Sequence, residues 1–332
     1  MSNNNNSPFT KRVYGVQIIK SKNSNYNADF TGSPRTLPDG TVYSTDKVAK
    51  FNIRQYLGRK DNSLIFTKTT YKNDLKPMVL KEVYESHFGD VGSDKKVALK
   101  NLLNKLDIRL FGATFAPKGA DNMNISIHGP VQISYGMNQF QKLKDSGMYT
   151  DQIGSPYASK KGADQTTLGS QTRSQEAHYV HHFSINPKNL SSYVNQFNNG
   201  EQKEENDKGK NGFQLLSTND IKLLKEAMAV ATTYYDSTSK KDSENELLLW
   251  IELNENSEKI MKNFTELIKI SNADDGKTKI DFEEVFHYLN KFSDNIANID
   301  IYYDDVFTTI TGLELNKNIK EHKSLNDVLN NQ

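Results

Sequence analysis

The sequence predicts an α+β fold, because segments with strand periodicity and segments with helix periodicity are interspersed along its 332 residues. Four segments show the alternation or the short apolar run of β-strands, and two show the three- and four-residue spacing of an amphipathic helix. In chain order they read β, α, β, β, α, β. This order is that of the ferredoxin-like or RRM-like arrangement, with long insertions between its elements.

The first strand and the first helix are separated by a loop rich in turn residues. We expect the strand at residues 11–20 and the helix from Ser44 or Thr45, as N-cap, to Leu57, with Gly58 as its stop. The apolar stripe of this helix has the spacing i, i+4, i+7, i+8 and comprises Ala49, Ile53, Tyr56 and Leu57.

A half-buried strand is predicted at residues 125–135, where apolar and polar side chains alternate. Gly129 and Pro130 interrupt the alternation, which indicates a bend or bulge. We expect this strand to be central in the sheet.

The second half of the chain supplies the remaining elements. A strand is expected at 177–185, a helix capped by Ser217 after it, and a buried strand at 247–251. Residues 267–270 and 277–282 flank the turn signal Asp274-Asp275-Gly276 and predict a hairpin.

The segments between these elements have the composition of insertions and loops. We expect a disordered terminus at 1–9, an insertion at 59–105 with a short strand at 64–70 and a helix at 95–106, a mobile protruding loop at 139–174 and a charged surface loop at 198–212.

Composition excludes several classes of protein. The chain contains no cysteine, so disulfides, thiolate metal sites and a cysteine nucleophile are excluded. Its mean hydropathy is -0.72, no apolar run is long enough to cross a membrane, and the N-terminus does not resemble a signal peptide. We therefore expect a cytoplasmic protein without a membrane partner.

Charge is distributed unevenly, although the net charge is only +1. Residues 1–120 carry a net +10, residues 121–190 a net +1 and residues 191–332 a net -10. This asymmetry indicates either a nucleic-acid face in the first third or a basic surface that docks on an acidic surface of another copy.

Lys47, Lys50 and Arg54 form a basic stripe on the first predicted helix, beside its apolar stripe. Such a stripe is either an ordinary solvated face or a phosphate-binding face, which the amide groups of the helix N-terminus would support. Other basic candidates are Arg35, Lys160, Lys161 and Arg173, whereas Arg109 is interpreted as a structural arginine at the edge of the core.

No catalytic or metal site is predicted. His178 and His182 share one face of a strand and His181 lies on the other, with no carboxylate placed nearby in sequence, so we interpret them as sheet residues. The acidic run near Gly276 lacks ligands at the positions that a calcium loop requires. Adjacent acidic pairs point apart, and no nucleotide, nucleophile or zinc-protease motif occurs.

Two strings in the middle of the chain, RLFGATFA and ISIHGPVQISYGMN, resemble the signature of the Cas-seven backbone subunits of type I CRISPR surveillance complexes, and most closely the type I-B branch. The flanking landmarks come in the same order: KRVYGVQIIKS, PRTLPDGTVYSTDKVAKFNIRQYL, TRSQEAHYVHHFSINP and LLSTNDIKLLKEAMAVATTYYDSTSKKDSENELLLWIEL. The resemblance covers residues 10–255 and rests on the ordered set of strings.

This resemblance implies a single RRM-like palm over residues 10–332, with "fingers" inserted at about 23–105 and a "thumb" at about 139–175. It implies a non-catalytic, cofactor-free subunit that polymerises along the CRISPR guide RNA (crRNA) and presents it for pairing with target DNA in antiviral defence. The implied partners are further copies of the chain, Cas-five and Cas-eight type subunits and the Cas-three helicase-nuclease, which is recruited later. In that setting the basic stripe favours RNA phosphate binding.

Two alternative functions remain open from the sequence. One is a metal-dependent CRISPR endoribonuclease on the same fold, which would shorten the RNA that it carries. The other is a generic RRM-like RNA-binding protein, which would require exposed aromatic residues at fixed positions on its sheet strands.

Overall fold

The computed structural model describes residues 7–120, 122–140, 147–158, 160–162, 165–198, 213–314 and 319–330, and its mixed architecture confirms the α+β class. The strands of these residues are β1 (Val13–Ser24), β2 (Tyr43–Ser44), β3 (Gly112–Phe115), β4 (Ile125–His128), β5 (Val131–Ile133), β6 (Gly136–Asn138), β7 (Met148–Ala158), β8 (Gln165–Ile185), β9 (Ser243–Leu253), β10 (Lys269–Asn272), β11 (Thr278–Asp281), β12 (Ile296–Tyr303), β13 (Thr308–Thr311) and β14 (Ile319–His322). The α-helices are α1 (Asp46–Lys60), α2 (Leu80–Phe88), α3 (Lys95–Leu103), α4 (Leu106–Phe111), α5 (Lys188–Asn198), α6 (Thr218–Tyr234), α7 (Glu283–Asn290) and α8 (Asp327–Asn330).

The largest sheet places β1 between two long antiparallel partners. Its strands follow the order β14-β12-β9-β1-β8-β6-β2, and β5 and β7 pair with β8 outside this path. Val13 of β1 lies opposite Ile185 on one side and opposite Glu252 on the other. The strands predicted at 11–20, 177–185 and 247–251 are therefore confirmed, and they are neighbours in one sheet.

Helices α1 and α6 cover one face of this sheet. Helix α1 packs on α6, and α6 packs on β9 and β1. Ile53 of α1 contributes to the core beneath them together with Phe183 and Trp250 of the sheet. The predicted cap of α6 is confirmed, because the Ser217 side chain accepts a hydrogen bond from the Asp220 amide in a capping box.

A second core lies on the opposite face of the sheet, beneath α7 and the small sheet β10-β11-β13. Leu249 and Ile251 of β9 point into it, whereas Leu248 and Trp250 point into the first core. Because β9 is covered on both faces, its residues 247–251 form a continuous apolar run. The predicted hairpin is confirmed as the antiparallel β10–β11 pair.

Helices α2 to α5 and the β3–β4 pair enclose a third core. A Cβ atom on Gly112 would lie 2.1 Å from the carbonyl oxygen of Ile127, and one on Gly129 would lie 2.1 Å from the carbonyl carbon of Phe111. Since the two backbones touch here, both positions require glycine.

The prediction of one central strand at 125–135 was wrong. Its residues divide between two sheets, because β4 pairs with β3 and β5 pairs with β8. Gly129 and Pro130 carry the chain from one sheet to the other. Both short strands alternate between buried and exposed residues, so the pattern reads as continuous.

Two boundaries also differ from the prediction. Helix α1 continues past Gly58 to Lys60 and is capped at Asp61, because a helical glycine costs only about 1 kcal/mol. No strand forms at residues 64–70, where a short 3₁₀ turn at Asn62–Leu64 precedes irregular chain.

The prediction of a loop without regular structure at 139–174 was wrong where the chain is described. Strand β7 pairs with the first half of β8, from Met148 opposite Ser174 to Ile153 opposite Gly169 and, after register shifts, to Ala158 opposite Gln165. Residues 148–154 are all exposed, so main-chain hydrogen bonds rather than burial define this hairpin. Residues 141–146 lie outside the described chain.

At the N-terminus, the Phe9 amide donates to the Leu216 carbonyl, and Pro8 forms a bridge with Ser217. The predicted disorder is therefore wrong for residues 7–9, and residues 1–6 lie outside the described chain. Most of the predicted charged loop, residues 199–212, also lies outside it. Within the described ranges, no helix is long and apolar enough to span a membrane.

Candidate nucleic-acid interface

Helix α1 begins directly after β2, beside the loop that contains Asn27. Thr45 is its N-cap, as predicted. The Thr45 amide and hydroxyl donate to the side-chain oxygen of Asn27 at 2.8 and 3.1 Å. The loop at Asn27 is thereby fixed beside the first turn of the helix.

An open depression of about 500 Å³ lies at this end of α1; we call it the α1 depression. Its walls combine three cationic side chains, two aromatic rings and three smaller residues: Arg35, Lys47, Lys240, Phe51, Tyr135, Asn27, Thr45 and Val48. A second, larger cavity of about 880 Å³ shares Lys47 and Phe51 with it. The two cavities adjoin at these side chains, and their cationic and aromatic residues suit a polyanion with planar groups.

The aromatic rings of the α1 depression are held by their neighbours. Tyr135 stacks on Tyr43 with 5.8 Å between ring centroids and 11° between planes. Phe51 contacts Tyr235 edge to face at 5.2 Å, and the Lys240 ammonium lies 5.0 Å from the Phe51 centroid.

All three residues of the basic stripe of α1 have an acidic partner, Asp46 for Lys47 and Lys50 and Asp107 for Arg54, but only Lys47 is largely exposed. Lys47 has a side chain that is 79% exposed, whereas Lys50 is 15% exposed and donates to Asp46 at 2.9 Å. Burial opposes the charged form of Asp46, but hydrogen bonds from Lys50 and Lys47 outweigh it and lower the Asp46 pKa. Lys47 is thus the member of the stripe most open to solvent.

Arg54 has a structural contact. Its Nε donates to a buried carboxylate oxygen of Asp107 at 3.1 Å. Asp107 also accepts from the amides of Phe66 and Thr67, both at 2.9 Å. The Arg54 guanidinium lies 5.0 Å from the Phe111 ring centroid. Arg54 and Asp107 together tie residues 66–67 to α1.

Arg35 and Lys240 complete the cationic wall of the α1 depression. Within the described chain, the Arg35 Nε is buried without a hydrogen-bond partner. Burial lowers the pKa of Lys240. An anion bound in the depression would oppose that shift, because it stabilises the ammonium form.

The remaining predicted basic residues belong to the β7–β8 hairpin. Arg173 donates to the Asn23 carbonyl at 3.1 Å and to the Gln171 side chain at 3.0 Å, near the hairpin base. Lys160 and Lys161 are exposed at the tip. The structure therefore brings Arg35 and Lys47 together and places these three residues on another element.

Sequence reasoning missed Lys240, Phe51 and Tyr135. Tyr135 ends the alternating pattern that predicted a buried face, yet it is 51% exposed. Lys240 precedes β9 in a polar turn, and only the packing of α6 on α1 brings that turn to the depression. No local sequence signal identifies Tyr135 or Lys240 as part of a binding surface.

His181 fixes the chain around Tyr135. Its Nδ1–H donates to the Ser134 carbonyl at 2.9 Å; because a carbonyl can only accept, Nε2 accepts from the Ser44 hydroxyl at 3.0 Å. A Cβ atom on Gly136 would lie 2.5 Å from that Nε2. Burial lowers the pKa of His181 to about 4, so the ring is neutral at pH 7.

His178 lies between two carboxylates, which corrects the expectation that none would be near. Its Nδ1 contacts Glu246 and its Nε2 contacts Glu176 at 3.2 Å. Burial opposes the charged ring, but the two carboxylates outweigh it and raise the His178 pKa. In the described part of the chain, no group of three or more His, Asp or Glu residues could hold a metal ion.

The structural role predicted for Arg109 is confirmed. The residue is 4% exposed, and its guanidinium donates to both Asp220 oxygens at 3.0 and 2.8 Å. It also donates to the Leu103 carbonyl. The pair joins α4 to the capping box of α6.

The chain belongs to the Cas7 family, since the family model described as CRISPR-associated protein Cas7 matches residues 11–289. This confirms the family resemblance seen in the sequence. No curated protein matches the sequence.

Two solved structures contain similar chains. One belongs to a CRISPR RNA-guided surveillance complex, with 10% identity and a TM-score of 0.45 over 97% of this chain and 98% of that chain. The other belongs to a pre-nicking CRISPR RNA-guided surveillance complex, with 10% identity and a TM-score of 0.46 over 96% and 98%. The family assignment rests on the family match.

Proposed function

We propose that this chain is a non-catalytic backbone subunit of a type I CRISPR surveillance complex, of the I-B branch, and that it binds guide RNA along the α1 depression. The observation that carries the proposal is the cationic and aromatic wall of this depression in a member of the Cas7 family. Phosphates bind the cations and bases contact the rings, so the guide is held without regard to its sequence.

In this proposal the RRM-like palm is the part of the sheet in which β9, β1 and β8 are adjacent, continued by β5 and β6. The order β9-β1-β8 followed by β5 or β6, with α1 and α6 on one face, supports it. Residues 23–105 are the fingers and residues 139–175 the thumb.

Each predicted basic residue, together with Lys240, has a part in the proposed binding mode. Arg35, Lys47 and Lys240 contact phosphates in the depression, and Lys160 and Lys161 contact them from the hairpin tip. Lys50, Arg54 and Arg173 border the path of the RNA, and their intramolecular hydrogen bonds keep its walls in place.

The partners in this proposal are crRNA, further copies of the chain, Cas-five and Cas-eight type subunits, and target DNA that pairs with the presented guide. The Cas-three helicase-nuclease joins later. Direct readout of bases is not required of such a subunit, because guide pairing supplies the specificity.

The salt dependence of RNA binding tests the proposal. The double variant Arg35→Ala/Lys47→Ala is compared with Lys76→Ala/Lys188→Ala, which also removes two positive charges from side chains that are 78% and 64% exposed but lie outside the depression. We expect the first variant to flatten the slope of log Kobs against log salt by about 1.4, about 0.7 for each lost contact. The control should keep the wild-type slope.

The flattening should be equal for RNAs of different sequence. A wild-type slope in the Arg35/Lys47 variant would contradict the proposed site. Flattening only in the control would place the RNA on another surface.

A further inference from the structure

We propose that the ring of Tyr135 is a stacking platform for one unpaired base of the bound RNA, an inference that rests on the proposed function. Tyr135 is 51% exposed, and it lines the α1 depression with the cations Arg35, Lys47 and Lys240. A phosphate chain that follows these cations brings its bases within the same depression.

The Tyr135 ring lines the depression and lies nearly parallel to the ring of Tyr43, with 5.8 Å between centroids and 11° between planes. A base that stacks on Tyr135 would join this pair of rings as a third planar group. Offset stacking of this kind is favourable for aromatic rings.

The backbone that carries Tyr135 is fixed before any ligand binds. His181 donates to the Ser134 carbonyl and accepts from Ser44, which follows Tyr43 in β2. The Ser134 hydroxyl also accepts from the His182 amide at 3.0 Å. Because both tyrosines are tied to β8 through these contacts, little conformational entropy is lost when a base stacks.

Stacking suits a subunit that must hold any guide sequence, because every base has an aromatic face. A volume of about 500 Å³ lies within the usual range for a site that holds a small planar ligand, about 300–1,000 Å³. A single exposed tyrosine is ordinary on a protein surface. The cations that line the same depression and the nearly parallel ring of Tyr43 distinguish Tyr135.

The test compares Tyr135→Leu with Tyr135→Phe and with the control Tyr71→Leu, whose side chain is 58% exposed but lies outside the depression. Affinity is measured at several salt concentrations for an unstructured RNA and for an oligomer of equal length built from abasic ribose phosphates. We expect Tyr135→Leu to weaken RNA binding about 5- to 100-fold with an unchanged salt slope. Tyr135→Phe and Tyr71→Leu should remain within about twofold of wild type, since both leave the stack intact. All four proteins should bind the abasic oligomer alike.

A second measurement uses the wild-type protein alone. RNAs that carry 2-aminopurine at one position each are titrated with protein, and we expect stacking to quench the fluorescence at a subset of positions. Equal affinity of wild type and Tyr135→Leu for normal RNA, or quenching at no position, overturns the stacking site. If RNA binding shows a salt slope but is indifferent to Tyr135, only this inference falls. If the wild-type protein binds no RNA, the proposed function falls as well.

Discussion

At the scale of single residues, the histidines of β8 couple folding to pH in opposite directions. Burial lowers the pKa of His181 and His182 to about 4. Between pH 6.5 and 4 the unfolded chain binds protons at these two positions and the folded chain does not, so the free energy of unfolding falls as the pH is lowered. His178, whose pKa is raised, contributes stability that is present below pH 6.5 and lost as the pH rises through its folded pKa.

We therefore predict that His181→Gln reduces the acid sensitivity of the fold. At pH 5 the wild-type His181 costs about 2 kcal/mol relative to pH 8, because its unfolded pKa is about 6.5, and glutamine removes this cost. Urea unfolding at pH 5, 6 and 8 measures the free energy of unfolding of both proteins. His178→Gln is the matched comparison and should lose its stability advantage at low pH instead. An unchanged pH dependence in His181→Gln would contradict the assignment of a buried neutral ring.

The basic stripe of α1 shows what a sequence pattern can and cannot predict at this scale. The spacing of Lys47, Lys50 and Arg54 correctly predicts neighbouring positions on one helix. It does not show that Asp107, fifty-three positions after Arg54, accepts the Arg54 hydrogen bond. Long-range pairing of this kind depends on how α4 packs against α1, and no local sequence pattern predicts it.

At the scale of secondary structure, the strongest predictions were those of elements with a buried face. The helix at Ser217 and the strands at 11–20, 177–185 and 247–251 are largely buried, as their apolar residues predict. The described part of the β7–β8 hairpin has no buried face, so its sequence shows no alternation of apolar and polar residues. The sequence therefore predicted a loop. The split of 125–135 was missed because β4 and β5 keep the same alternation in different sheets.

The hairpin yields a prediction of its own. Replacing residues 154–168 by an Asn-Gly turn keeps the ladder from Met148–Ser174 to Ile153–Gly169 and supplies a turn of the right kind. The monomer should keep its Tm, since none of the replaced residues whose burial the structure describes belongs to the core, but RNA-dependent assembly should be impaired because the tip with Lys160 and Lys161 is gone. Sedimentation of protein mixed with guide RNA measures assembly. Complexes of wild-type size would reduce the hairpin to a surface feature.

At the scale of the whole molecule, the charge distribution suits head-to-tail assembly. The first 120 residues carry a net +10 and the last 142 a net -10. A basic region of one copy can therefore lie against an acidic region of the next, and contacts of this heterologous kind extend into an open filament rather than a closed ring. In the proposed complex the length of the RNA limits the filament.

The most direct test of the proposed backbone role is the mass of the complexes that the chain forms on RNAs of increasing length, measured by light scattering together with absorbance at 260 and 280 nm. We predict that the number of bound chains rises in regular steps with RNA length, and that RNA recovered from the complexes keeps its original length. Complexes that contain one chain whatever the RNA length, or RNA that is shortened during incubation, would contradict a non-catalytic backbone subunit.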